Sequence, residues 1–221
     1  IRPPRPVSEN FLKIQDEYLT ERNIERGITD IADLKPVTSD SRLYIWQGDI
    51  TTLKCDAIVN ACNSQMLGCF SPMHACIDNF IHTYAGVELR LKMNEIMTKQ
   101  GHEEETGKAK ITSGYNLPAK YILHTVGPII QWEVTKEDEN LLASCYRECL
   151  KLAADTGVES IAFCCLSTGI FRFPHQRAAE IATETVKQFL GKDNRIKKVI
   201  FNVFKDEDLE IYSSLLFDNK N

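Results

Sequence analysis

Short apolar runs alternate with longer amphipathic stretches along the chain. LYIWQ (43–47), DAIVN (56–60), KAKITS (108–113), YILHTV (121–126), SIAFCCL (160–166) and residues 197–204 are short, rich in β-branched or aromatic residues, and bounded by turn formers. They predict strands, and SIAFCCL, apolar throughout, predicts one buried on both faces. Between them, helical periodicity predicts helices over 9–24, 74–84, 87–100, 136–155, 174–190 and 206–217. Ser8 is a candidate cap for the first, with Phe11, Ile14, Tyr18 and Leu19 as its apolar stripe. Gly86 and Gly101 follow the second and third as stops, and Pro174 suits the first turn of the fifth. In the fourth, Leu141, Leu142, Cys145, Cys149, Leu150 and Leu152 form the inward face.

Strands alternating with helices predict an α/β fold with a central, largely parallel sheet covered on both faces. Ligands of such sheets bind outside the carboxyl ends of the strands. The loops expected there begin at Gly48, Asn60, Ser167 and Phe204. A boundary falls near Ser41. Residues 1–40, opening on the proline-rich IRPPRP, form an N-terminal helical extension expected to pack on the domain of 41–221. The start at Ile1 rather than Met reads as a truncated one.

Composition narrows the function. The 221 residues are 43% hydrophobic and 26% charged, enough for a full core. A net charge of −5 argues against nucleic-acid binding by broad phosphate neutralisation. A phosphate-bearing ligand held by backbone amides remains open. No apolar run approaches the ~20 residues of a membrane span, and no signal-peptide pattern is read. The eight cysteines are therefore expected to be reduced, mostly buried, and cytoplasmic.

The candidate chemistry lies in NACNSQMLGCFSPMHACIDNFIHTYAG, residues 60–86, where Cys69, His74 and Cys76 are spaced C-x4-H-x-C. Two thiolates and an imidazole in one loop suit Zn²⁺, and three protein ligands leave a position for water or substrate. A closed structural site needs a fourth ligand, for which Cys62 and His82 are nearest. The alternative is that these cysteines are small buried hydrophobes and His74 caps a helix.

Several of these segments resemble the macrodomain, an ADP-ribose-binding fold: Gly48-Asp49-Ile50-Thr51, AIVNACNS (57–64), HTVGP (124–128) and STGIF (167–171). GCFSPMHACIDNFIH (68–82) resembles the zinc-dependent branch, described as protein-ADP-ribose hydrolases. LYIWQGDITTL, TSGYNLPAKYILHTVGP, IAFCCLSTGIFRFP and VIFNVFKDED are similar to the same branch, so the likeness covers nearly the whole chain. Cys62 departs from it, standing where the family usually has alanine, and adds a thiol near the expected metal.

The resemblance implies a three-layer α-β-α fold and a role for each matching residue. Asp49 would accept the adenine amino group, with the Ile50 N–H beside it. Ser167, Thr168, Gly169, Ile170 and Phe171 would form the diphosphate loop. Asn202 or Phe204 would border the adenine. Asn63 would contact the distal ribose, though it could instead simply hold the turn. Cys69, His74 and Cys76 would carry zinc beside that ribose. Asp78 is a candidate base or a residue supporting the ligands.

The implied activity is removal of mono-ADP-ribose from protein side chains by cleavage of the glycosidic bond at the distal ribose. A sirtuin-type ADP-ribosyltransferase and a lipoyl-carrier protein are the implied partners. The rival readings are a non-catalytic reader of ADP-ribose with a structural zinc, and a binder of RNA or poly-ADP-ribose, which the acidic balance disfavours.

Overall fold

A computed structural model of the chain describes residues 2–217. Ile1 of the proline-rich lead-in and residues 218–221 of the second segment lie outside them. The elements run α1 (Glu9–Glu25), β1 (Thr29–Asp30), β2 (Leu43–Gln47), β3 (Leu53–Lys54), β4 (Ala57–Cys62), α2 (Ile77–Ala85), α3 (Val87–Gln100), β5 (Ala109–Ser113), β6 (Tyr121–Val126), α4 (Lys136–Asp155), β7 (Ser160–Phe163), α5 (His175–Leu190), β8 (Lys198–Val203) and α6 (Asp206–Leu216).

Six strands form one sheet in the order β2-β8-β7-β4-β6-β5. Every neighbouring pair is parallel except β5 with β6. The exception has a simple cause. Residues 114–120 join β5 to β6, too few for the crossover of a dozen or more residues that parallel neighbours need. In β4, β6, β7 and β8 nearly every residue is buried, inward and outward positions alike. Such strands need a helical layer on each face. α4, α5 and α6 pack on one another and on the sheet, while α2 and α3 pack on each other and on β4 and β5. Leu142, Cys145, Cys149 and Leu150 of α4 are buried as its periodicity predicts, with Tyr146 completely enclosed. Each large side chain buried in this way contributes about 1.5–3 kcal/mol.

Local signals fix most of the ends. The Ser8 hydroxyl accepts from the Phe11 amide at 3.2 Å. Thr135 and Asp138 close a reciprocal capping box on α4. Three predicted boundaries move by two residues or more. The strand of DAIVN runs on to Cys62, because β4 stays paired with β6 as far as Cys62 opposite Val126. The loop expected to begin at Asn60 therefore begins at Asn63. The strand of SIAFCCL ends at Phe163. α2 begins at Ile77 rather than at His74, so His74 does not cap it; Cys76 occupies the cap position with an extended backbone.

The extension is tied to the larger segment by polar bonds and by Val37, Ile31 and Leu34, which pack into or against the core. β1 pairs in parallel with β3, a two-residue ribbon too short for the sequence to predict. The Val37 amide donates to the Leu43 carbonyl at 2.8 Å. The expected apolar stripe of α1 is a correction: Leu19 is buried, but Phe11, Ile14 and Tyr18 are exposed. The helix is held instead by the Val87 amide donating to Gln15 Oε1 at 2.9 Å and by Asn23 Nδ2 donating to the Asn116 carbonyl at 2.7 Å.

Candidate active site

The carboxyl ends of β2, β4, β6, β7 and β8 share one edge of the sheet, and most of the sequence-predicted residues sit there. After β2, Asp49 caps a short turn over Ile50–Thr52. Its Oδ1 accepts from both the amide and the hydroxyl of Thr51, at 2.9 and 2.6 Å. Its Oδ2 accepts from Arg26 Nη2. The Ile50 side chain is buried. Asn202, at the end of β8, is buried rather than facing the cleft, and its Nδ2 donates to the Gly48 carbonyl at 2.9 Å. It holds the loop that carries Asp49. Phe204 is 76% exposed, an apolar surface beside that loop.

After β7, the chain turns at Ser167, whose φ of 64° is unusual for a residue with a side chain. The Phe173 amide donates back to the Ser167 carbonyl and the Arg172 amide to the Gly169 carbonyl, both at 3.0 Å. Among the described residues, the amides of Thr168, Gly169, Ile170 and Phe171 have no acceptor in the protein. A Cβ built on Gly169 meets nothing within 4 Å. Four adjacent unengaged N–H groups around an open position make a cradle for an anion. Ile170, Ile129 and Trp132 are exposed at 68%, 56% and 92%.

After β4, Asn63 Oδ1 accepts from the Gln65 and Met66 amides at 3.1 and 3.2 Å, and its Nδ2 donates to the Gly68 carbonyl at 3.3 Å. The side chain therefore holds its own turn, leaving little of it for another partner. Beyond the turn, Cys69, His74 and Cys76 offer ligand atoms within 4.8 Å of one another, all half-buried. Cys69 Sγ lies 3.3 Å from His74 Nδ1. Zinc bonds of about 2.3 Å to sulfur and about 2.0 Å to nitrogen place neighbouring tetrahedral donors roughly 3.5 Å apart. The donor types and their spread therefore fit that ion. The two fourth ligands weighed from the sequence are not in this cluster. Cys62 points into the core, its Sγ donating to the Thr125 carbonyl at 3.2 Å, and burial pushes its thiol well up. His82 is buried against Gly68, and burial holds its imidazole well below its ordinary value.

A buried polar chain underlies this loop. Asn60 and His124 are opposite each other on β4 and β6. Asn60 Nδ2 donates to Asp78 Oδ1 at 2.8 Å and meets His124 Nδ1 at 3.2 Å. His124 Nε2 lies 2.9 Å from Thr112 Oγ1, whose hydroxyl donates on to the Ser113 carbonyl. These partners assign the proton to Nε2. Burial depresses His124 to about 3, so the ring is neutral. Asp78, in the first turn of α2, is 4% exposed, and burial raises it to about 6 against the bond from Asn60.

Arg90 braces the loop of Cys69, His74 and Cys76 from α3. Its Nε donates to the Leu67 carbonyl at 2.7 Å, its Nη1 to the Arg2 carbonyl at 2.6 Å, and the guanidinium lies 4.9 Å from the Phe70 ring centroid. Sequence reasoning missed Arg26, Asn60, Arg90 and His124 as parts of the site. For Asn60 and His124 a signal existed, since both stand in segments already singled out, AIVNACNS and HTVGP. Nothing local marks Arg26 or Arg90, whose partners lie far off in the sequence.

A largely parallel sheet with an amide cradle and a Cys-His-Cys cluster along its carboxyl edge defines an α/β ligand-binding domain. The chain belongs to the macrodomain family, and the Macro domain matches residues 59–182. It is 58% identical over 218 residues to a protein-ADP-ribose hydrolase of Treponema medium, covering 98% of this chain and 84% of that one. It is 55% identical over 213 residues to a protein-ADP-ribose hydrolase of Staphylococcus aureus, covering 96% and 79%. Among solved structures it is similar to the Trypanosoma brucei macrodomain in complex with ADP-ribose, with a TM-score of 0.77 and 30% identity over 96% of this chain and 91% of that one. No helix among the described residues is long and apolar enough to cross a membrane.

Proposed function

We propose that this macrodomain is a zinc-dependent hydrolase that removes mono-ADP-ribose from modified protein side chains by cleaving the glycosidic bond at the distal ribose. One observation carries the reading: an unengaged amide cradle at residues 168–171 and a three-ligand Cys-His-Cys set lie along the same edge of the sheet. The names of the relatives, with 58% and 55% identity, support hydrolysis of a protein-linked ADP-ribose.

In this reading the nucleotide runs along the carboxyl edge. Asp49 accepts the adenine amino group, and the Ile50 N–H donates beside it. Phe204 offers its exposed ring to the base, and Asn202 acts indirectly by holding Gly48. The amides of Thr168, Gly169, Ile170 and Phe171 bind the diphosphate, with Ser167 setting the turn that presents them. The distal ribose then reaches the loop built by Asn63. Cys69, His74 and Cys76 would hold the zinc, which supplies a Lewis acid at that end of the substrate. Cleavage builds positive charge at the anomeric carbon, and the acidic balance of the chain does not oppose it. Asp78 is buried behind the ligands and fixes the start of α2 next to Cys76. The target is a mono-ADP-ribosylated protein; a lipoyl-carrier protein modified by a sirtuin-type transferase is the candidate drawn from the branch resemblance. A reducing cytoplasm suits eight free cysteines.

The test is incubation with a mono-ADP-ribosylated protein, following free ADP-ribose and the modified protein together. Release of ADP-ribose with loss of the modification supports the hydrolase. Capture of the modified protein without release would establish a reader instead.

A further inference from the structure

We propose that Arg26, at the carboxyl end of α1, is a positioning residue for nucleotide selection: it aims the one acceptor site that Asp49 has left. The proposal rests on the reading of Asp49 as the adenine-binding carboxylate and extends that site into the N-terminal extension.

A carboxylate offers about four lone-pair sites, two on each oxygen. On Asp49, Oδ1 takes two donors, the amide and the hydroxyl of Thr51. Oδ2 takes one, from Arg26 Nη2. The vacant site is therefore on Oδ2, and its direction is set by where Arg26 approaches. The Asp49 side chain is 35% exposed, so this site can be reached from solvent, whereas Arg26 is only 18% exposed.

Arg26 is itself fixed from several sides. The same Nη2 donates to Thr51 Oγ1 at 2.8 Å, and Nη1 donates to Asn23 Oδ1 at 3.1 Å. The guanidinium lies over the Tyr84 ring, its central carbon 3.4 Å from the ring centroid. Tyr84 belongs to α2, the helix that follows the metal-binding loop. Arg26, Thr51 and Asp49 thus close a ring of hydrogen bonds between α1 and the loop after β2, stacked on α2. Only a planar fork can make these contacts together; a lysine ammonium keeps the charge but not the stack or the paired donors.

The consequence is chemical selectivity. A single remaining acceptor, held in direction, favours an exocyclic amino group, which donates, over a keto oxygen, which accepts. Without Arg26 the carboxylate is held at Oδ1 alone, by Thr51, Oδ2 loses the donor that fixes it, and the preference weakens even though Asp49 is still present.

The test measures dissociation constants by calorimetry for ADP-ribose and for inosine-diphosphate-ribose, whose hypoxanthine carries oxygen in place of the amino group. Wild type, Arg26→Ala, Arg26→Lys and Asp49→Ala are compared, with thermal melting to establish folding. The wild type is expected to prefer ADP-ribose. Arg26→Ala should lose about tenfold in affinity for ADP-ribose. Its affinity for the inosine analogue should change far less, so the ratio collapses toward that of Asp49→Ala. Arg26→Lys should fall between, and it carries the test if Arg26→Ala does not fold. With protein substrate, KM should rise while kcat stays the same. A wild-type ratio in both Arg26 variants, or equal weakening of both nucleotides, overturns the role of Arg26. A wild-type protein that binds the two nucleotides equally, or neither, overturns the adenine reading of Asp49 and this proposal with it.

Discussion

A methyl group on Gly127 would lie 2.0 Å from the hydroxyl oxygen of Ser167. The loop after β6 is thus pressed against the residue that precedes the amide cradle, and the serine oxygen is buried without a partner among the described residues. Gly127→Ala should displace Ser167, at a cost of about 1–3 kcal/mol for overpacking. ADP-ribose affinity should fall with it. Ser167→Ala in the Gly127→Ala background removes the clashing atom and should restore part of the loss, because the two sites are coupled. Calorimetry and thermal melting of the double-mutant cycle check this, and additive effects would show that the contact does not control the cradle.

Gly169 sits at the open centre of the same cradle. Because a Cβ there meets nothing within 4 Å, Gly169→Val should leave the melting temperature nearly unchanged, within the ±0.5 kcal/mol of ordinary surface changes. The added methyls occupy the space the diphosphate needs, so affinity for ADP-ribose should drop about tenfold or more, roughly 1.4 kcal/mol. Retained affinity would place the diphosphate elsewhere.

Asn60 joins β4 to both His124 and Asp78 through the two hydrogens of one amide. Asn60→Ala removes the donor from a buried carboxyl group, which should cost about 1–3 kcal/mol or more. The start of α2 should loosen with it, and Cys76 stands at that start. Lower thermal stability together with a reduced zinc-to-protein ratio after dialysis is expected. A destabilised variant that keeps full metal content would separate the buried chain from the ligand set.

Asp56 gives the fold a pH dependence away from the cleft. Its partial burial pushes the carboxyl up, but donors from Lys120, Ser160 and the Glu159 amide outweigh that and hold it below its ordinary value of 3.8. The bonds are 2.7 Å from Lys120 Nζ, 2.8 and 3.0 Å from the Ser160 hydroxyl and amide, and 3.2 Å from the Glu159 amide. A folded-state value below the unfolded one means stability that is present above the unfolded value and lost as pH falls through the folded one. Asp56→Asn should therefore melt lower than wild type at pH 7, by about 1–3 kcal/mol for the lost charge-assisted bonds. The gap should begin to narrow below about pH 4, where the unfolded carboxylate takes up its proton, and close once pH falls below the folded value. A gap that stays constant down to pH 2 would contradict this assignment.

Much of the fold was legible from local pattern. The spans of β2, β6, α3 and α4 were predicted to the residue, because each is bounded by its own turn or cap signals. The cysteine and histidine cluster was legible for the same reason: its members lie within eight residues, so the loop can scarcely hold them far apart. What was not legible depends on pairing across the chain. Asn202 or Phe204 was expected to border the adenine; the bond from Asn202 to the Gly48 carbonyl was not foreseen, because it exists only once β2 and β8 are neighbours. The α1 stripe of Phe11, Ile14 and Tyr18 promised an apolar contact, but the helix attaches through Gln15, Asn23 and Arg26, whose partners are 72, 93 and 23 residues away. Asn63 holds its own turn, one of the two roles weighed for it from the sequence.

The most direct test of the account is metal content and ADP-ribose release measured on the same preparations. The wild type, Cys69→Ala, His74→Ala and Cys76→Ala would be assayed on a mono-ADP-ribosylated protein, with circular dichroism to establish folding. The account predicts about one zinc per wild-type chain, and folded variants that lose both zinc and release. Folded variants that lose zinc yet release ADP-ribose at the wild-type rate would contradict it, as would an active wild type that holds no zinc.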